Sequence, residues 1–338
     1  MASAAQSGPL VNLIHDERDL PFVHLILQCA AVALLGIGLF FVEGVYFWPL
    51  AVAWWAVWGL GVLDRFILML HCTSHRVLFK KSWMKHIIPW AIGPFFGQTP
   101  QSYLVHHIGM HHIEDNLKGD LSSTMRYQRD SLAGWLHYWL SFLFTGLPRL
   151  AAYHYRRPSK KMFWRLVAGE GAFWATMAAL AYVDWRATLV VFVGPVLFVR
   201  TLMMAGNWGQ HAFIDPENPA DQYRASITCI NTRYNKRCFN DGYHILHHVK
   251  PRTHFTEYPV EFEAMRAEYG RRDSIVFDGL DFFEVWALLM LGRKDVLARR
   301  FVRLPGAPNR TDEEVIALFD ARLRAFPLGA ESPVATAT

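Results

Sequence analysis

Between Leu20 and Val42 the chain carries no Asp, Glu, Lys or Arg, and a helix over that run is long enough to cross a hydrocarbon core of about 30 Å. Lipid offers no hydrogen bonds to a peptide group, so such a run folds as a helix that satisfies its own backbone. A second run covers Gly44 to Leu63 and continues past Asp64 and Arg65 through Phe66, Ile67, Leu68, Met69 and Leu70. The two predict a hairpin turning near Glu43 to Pro49. A third run, about Leu166 to Val183, carries Glu170 near one end, and a fourth, about Ala187 to Ala205, contains Pro195 and Arg200. Proline is tolerated in membrane helices, and an arginine near an end snorkels.

Two further uncharged stretches do not read as spans. Ile87 to Val105 is interrupted by Pro89, Gly93, Pro94 and Gly97, which predicts an irregular segment at the interface. Leu132 to Pro148 carries Trp135, Tyr138 and Trp139, the aromatics expected of a helix lying at headgroup level. The expected fold class is therefore an all-α integral membrane protein, with four transmembrane helices in two hairpins and a polar cytosolic cap.

Composition agrees. With 52% hydrophobic and 19% charged side chains the chain is far from disordered. A formal charge of +5 suits a face toward anionic lipid or an acidic partner and gives no argument for nucleic acid. Four cysteines, Cys29, Cys72, Cys229 and Cys238, form neither a paired CxxC zinc framework nor a secreted disulfide scaffold, which points to a reducing compartment. The N-terminus is mildly acidic through Asp16, Glu17 and Asp19. It has no basic run or cleavage site, so the first apolar run is expected to be a retained anchor.

The expected organisation is a polar segment (1–19), a first transmembrane hairpin (20–70), a cytosolic or interfacial region (71–165), a second hairpin (166–206), a cytosolic cap (207–326) and a loose tail (327–338). The stretch from His71 to Lys161 holds twelve Lys/Arg against four acidic residues. The positive-inside tendency places it, and with it both termini, in the cytoplasm. Helices are expected in the cap around Asp278 to Phe301 and from Thr311 to Ala325.

The sixteen histidines fall in clusters. His71 and His75 follow the second span at i,i+4, one helical face. Asp64 lies seven residues earlier on about the same stripe. It is a candidate acceptor for a ligand's outward ring N–H, or a partner for Arg65 or Arg200. The second cluster is His106-His107-Ile-Gly-Met-His111-His112, followed by Glu114, Asp115 and Asn116. His107 and His111 are expected on one face with His112 one position round, and spacing leaves His106 and His107 as alternatives. Asn207 and His211 flank the end of the fourth run. Asn240-Asp241-Gly-Tyr-His244-Ile-Leu-His247-His248 forms the last cluster, with His254 beyond.

A lone HxxxH is more often a pair of hydrogen-bonded histidines than a metal site. Four clusters offering about nine imidazoles at membrane-helix exits are different, because burying so many titratable rings is costly unless their lone pairs are used. The expected ligands are His71, His75, His107, His111, His112, His211, His244, His247 and His248. Neutral imidazoles suit Fe, Zn, Cu and Ni, and nine exceed what one four-coordinate ion takes. If all share one centre, the ends of the second and fourth spans lie on the same side, which four crossings satisfy.

These boxes, His71/His75, His107/His111/His112 and His244/His247/His248, resemble those of the membrane fatty acid desaturase and hydroxylase superfamily. Asn207/His211 is similar to the NxxxH element of its stearoyl-CoA desaturase branch, where the Asn binds through a water. Phe239 to His248 is similar to the corresponding region of sphingolipid desaturases. The resemblance covers roughly residues 20 to 260. It departs from the animal stearoyl-CoA enzyme in a first box one residue shorter and a second box one residue longer, so it carries no chain length or double-bond position. It implies two iron ions, O2 as co-substrate and removal of hydrogen from an unactivated C–H bond of a long-chain acyl or other lipid. Loss of a second hydrogen gives an alkene, and return of oxygen gives an alcohol, the hydroxylase alternative for fatty acyl, sphingolipid, alkane or carotenoid substrates.

Around the metal, Asp64, Glu114, Asp115, Asn116, Asn207, Asn240 and Asp241 are candidates to fix ring tautomers or bound water. Glu114 to Asn116 have the alternative task of ending a helix. No fused haem motif, ferredoxin cysteine run or GxGxxG after a strand is present, so a separate ferredoxin or cytochrome-type electron donor with its reductase is expected. Arg233, Lys236 and Arg237 are candidates to dock that donor or substrate phosphates, or form a solvated face. A metal transporter would place ligands along a mid-membrane path rather than at helix exits, and a scaffold would give the histidine spacing no task.

Overall fold

The computed structural model describes residues 8–326; the expected tail, 327–338, lies outside the described residues. Among these, three helical runs are long and apolar enough to cross a membrane: Glu17–Phe41, Gly44–His75 and Lys161–Gln210. The chain divides into two compact units, Met1–Val105 with Lys160–Arg200, and His106–Ser159 with Thr201–Thr338.

The first unit holds the first two apolar runs and the third as far as Arg200. Leu34, Leu60 and Tyr182 are 67%, 81% and 94% exposed, an exterior suited to lipid. The first helix, Leu20–Gly38, ends in a short turn at Leu39–Phe41. Val42 is extended and Gly44 adopts φ +67°, a conformation costly for a residue with a Cβ, before the next helix starts at Phe47. That turn falls where the hairpin is expected. The second run passes through a π-helical stretch, Val57–Leu63, into the helix Asp64–His75.

The third run is fifty residues long, about 75 Å as straight helix and more than twice a hydrocarbon core. It is broken at Asp184, whose φ/ψ of −151°/105° are not helical. The Asp184 carboxylate accepts the Arg186 and Ala187 N–H groups at 2.8 and 3.2 Å, restarting the helix as an N-cap does.

The segment expected to be irregular is so. A π-helical turn at Ile87–Ile92 gives way to a 3-10 turn at Gly93–Phe96 and left-handed Gly97. A Cβ on Gly97 would lie 2.3 Å from the Pro195 carbonyl oxygen.

In the second unit, the helix Leu132–Arg156 corrects one expectation. Trp135 and Tyr138 do not project outward, as side chains meeting headgroups would. They are buried against Met204 and Trp208, with Phe283 and Trp286 packed beside them. The exposed stripe is instead Leu132, Leu136, Leu140 and Phe144, at the i,i+4 spacing of one helical face.

The polar region adds two strands to an otherwise helical fold. Ile227–Ile230 pairs in parallel with Ile275–Asp278, Ile227 opposite Ile275. Parallel strands need a long crossover, and here it contains the helices His244–Val249 and Tyr258–Arg271. Ile245 and Leu246 are anchored in the core with Val276 and Phe262, so the last histidine box sits on a fixed element. The helix expected around Asp278 to Phe301 is two, Phe282–Met290 and Lys294–Arg300, parted at Gly292 with φ +68°. The last described helix, Asp312–Leu323, starts with a Thr311/Glu314 capping box, as the T-x-x-E pattern dictates.

Candidate metal centre

A π-helical turn over His107–His111 decides how the second box points. Its i→i+5 hydrogen bonding brings residues five apart together. His107 and His112 therefore approach at 3.2 Å between Nε2 atoms, while the rings of His106 and His111 stack. His107 and His111, expected on one face, also stack, with ring centroids 5.7 Å apart, but their ligand nitrogens fall in separate groups.

His112 Nε2 lies 3.0 Å from that of His247, so His107, His112 and His247 form one imidazole group in the second unit. The other comprises His111, His211 and His248, joined by His244, whose Nε2 lies 3.1 Å from that of His248 and 3.4 Å from that of His211. These histidines are buried, except the partly exposed His112. In the first unit, His71 and His75 lie on successive turns of Asp64–His75 with ring centroids 5.5 Å apart.

The outward nitrogens carry equal information. His111 Nδ1 is 2.6 Å from Asp120 Oδ2, His248 Nδ1 is 3.1 Å from Asp115 Oδ1, and His211 Nδ1 donates to the Ala225 carbonyl at 2.8 Å. His247 Nδ1 faces the Tyr258 hydroxyl at 3.4 Å. With Nδ1 carrying the proton, each Nε2 presents a lone pair inward, the arrangement that orients metal-binding histidines. Nitrogens bound to one ion at about 2.1 Å are separated by about 3.0 to 3.4 Å in octahedral to tetrahedral geometry. The observed Nε2 spacings fall in that range, so the donor sets fit transition-metal ions.

Asp120 is the buried hub of the second group. Besides His111 it accepts the N–H groups of Asn116 and Ser122 at 3.1 and 2.8 Å and the Ser122 hydroxyl at 2.6 Å. Burial opposes its ionisation, but His111 and these donors prevail and hold its carboxyl far below the usual range. In turn, burial lowers the pKa of His111, but the Asp120 carboxylate outweighs this and raises it above the usual imidazole value. His211, buried and beside His248 and His111, is pushed down to about 3, the neutral form a ligand needs.

The remaining candidates are placed as follows. Asp115 has left-handed backbone and faces His248. Glu114 accepts from Tyr153 and Arg157 at 2.6 and 2.5 Å. The Asn116 side chain accepts the Thr124 N–H. Asn207 donates to the Ser122 carbonyl and the Tyr138 hydroxyl at 3.0 and 2.7 Å, which ties it to the Asp120 loop. Asn240 donates to the Phe255 carbonyl, and Asp241 accepts from Tyr234. Asp64 accepts the Arg65 N–H at 2.8 Å. Of the two alternatives in the second box, His107 joins an imidazole group. His106 packs edge-on to Phe142, its Nε2 buried without a hydrogen bond. Sequence reasoning did not name Asp120, Ala225 or Tyr258: no ligand spacing reaches them.

Apolar helices long enough for a bilayer and paired imidazole groups define a multi-pass membrane metalloprotein of the non-haem, histidine-ligated type. The fatty acid desaturase family model matches residues 46–278, and the chain belongs to that family. It is a histidine-box di-iron oxidoreductase. Comparison with curated proteins and with solved structures gives no match.

Proposed function

We propose that the chain is an O2-dependent fatty acyl desaturase that uses two iron ions. The observation that carries this reading is the pair of imidazole groups, His107/His112/His247 and His111/His211/His248, whose inward nitrogens have the spacing of metal ligands. The box pattern adds His71 and His75 to the ligand set. Held by these histidines, two reduced irons would supply the O2 activation needed to remove hydrogen from an unactivated C–H bond.

The chain's own residues hold the ring tautomers. Asp120, Asp115 and the Ala225 carbonyl keep the protons of His111, His248 and His211 on Nδ1, and burial keeps bulk water from the inward nitrogens. In this reading the chain crosses four times, with the Asp184 break as the second turn, the boxes face the cytosol as the basic His71 to Lys161 stretch suggests, and a separate ferredoxin or cytochrome-type donor delivers electrons there.

The test is mass spectrometry of lipids from cells that express the protein with a competent donor, compared with a His247→Ala/His248→Ala variant. A loss of two mass units that the variant abolishes is the expected result. A gain of sixteen would make the protein a hydroxylase, and no change with any acyl lipid would overturn the reading.

A further inference from the structure

A cavity of about 260 Å3 opens in the first unit beside His75, the last residue of its helix. Its walls are mostly apolar, among them Leu70, Met84, Ile88 and Leu104, and no Asp or Glu is among its lining residues. Three Lys/Arg side chains do line it, Arg76, Lys85 and Arg165, together with His75 and His86. Arg76 is neutralised by Asp16 at 3.0 Å, with Asp19 at 3.7 Å. Lys85 and Arg165 pair with no carboxylate among the described residues, and the side-chain contact of Arg165 is to Met162 Sδ at 3.9 Å. They come from separate elements, the turn Ser82–His86 and the helix Lys161–Thr188. A cavity with an apolar wall and two uncompensated cations from distant parts of the chain complements a ligand that is apolar along its length and anionic at its head. Its volume holds roughly nine water-sized groups, which is a segment of acyl chain with its headgroup.

We infer that this cavity binds an acyl lipid through an anionic phosphate or carboxylate headgroup held by Lys85 and Arg165. The inference rests on the acyl-lipid reading above and narrows it, because neutral hydrocarbons, carotenoids and acylglycerols lack the group these cations would hold. His75 in the cavity wall places the chain next to the first histidine box.

Equilibrium binding to iron-loaded protein in detergent, with no reductant present, tests it. The probes are lauroyl lysophosphatidate, lauroyl-CoA, laurate and the neutral monolaurin. At least one anionic probe is expected to bind about tenfold more tightly than monolaurin and to weaken as salt is raised, and the one that binds best identifies the headgroup. Lys85→Gln/Arg165→Gln is expected to lose that preference, and Lys85→Arg/Arg165→Lys to keep it, with unchanged melting temperatures showing that both fold. Leu104→Trp, which fills the cavity, is expected to weaken all four probes. Equal binding of monolaurin, or undiminished preference in the Gln double variant, would overturn the inference. Binding is read without turnover, so protein that binds the anionic probe but converts no lipid would sink the desaturase reading and leave this one standing.

Discussion

The Nδ1 of His111 lies 2.6 Å from the Asp120 carboxylate, a buried pair nine residues apart in a loop that also receives Asn207 through the Ser122 carbonyl. The second imidazole group is thus held from behind by two carboxylates, Asp120 at His111 and Asp115 at His248.

Asp120→Asn keeps the shape and removes the charge. It is expected to lower affinity for one of the two ions by about 10- to 100-fold, while Asp120→Ala also leaves buried N–H donors unpaired and lowers the melting temperature. Iron per chain after buffer exchange, measured beside a thermal melt, distinguishes the two effects. Full iron in well-folded Asp120→Asn would dismiss the role of this carboxylate.

The proposed di-iron reading assigns each imidazole group its own ion. His112→Ala and His211→Ala are each expected to reduce bound metal from about two ions to about one, and the double variant to near none. Elemental analysis of purified protein provides the check. If either single substitution removes both ions, the groups do not act as two sites.

Arg129 is buried, and its guanidinium donates to six backbone carbonyls: those of Thr124, Met125, Tyr127, Ala212, Arg322 and Arg324. It thereby ties the last described helix to the loop behind His211. Arg129→Met leaves these acceptors unpaired, and each orphaned buried group costs about 1–3 kcal/mol. A clear fall in melting temperature is expected, with partial recovery in Arg129→Lys. Unchanged thermal melts would show that water replaces the guanidinium without cost.

Gly97 combines a positive φ of +71° with a Cβ position 2.3 Å from the Pro195 carbonyl oxygen. Both features forbid a side chain. Gly97→Ala is expected to reduce the yield of folded protein sharply on size-exclusion chromatography. By contrast, Gly171→Ala, where a Cβ meets nothing within 4 Å, is expected to be silent.

The sequence by itself determined the membrane class and the metal-binding character. Apolar runs must become helices where lipid supplies no hydrogen bonds, and imidazole clusters at helix exits signal their task through residue type and spacing alone. Local signals also marked the turn at Gly44 and the capped start at Thr311. The tertiary structure decided which nitrogens meet. The π-helical turn at His107–His111 brings the Nε2 atoms of His107 and His112, five residues apart, within 3.2 Å, and no spacing rule that assumes an α-helix reveals it. It also decided which groups hold the rings from behind, since Asp120, Tyr258 and the Ala225 carbonyl reach the histidines only through chain folding. Trp135 and Tyr138 teach the same lesson: their composition suits a membrane surface, yet packing against Met204 and Trp208 puts them inside, because an aromatic side chain gains as much from a protein core as from a headgroup layer.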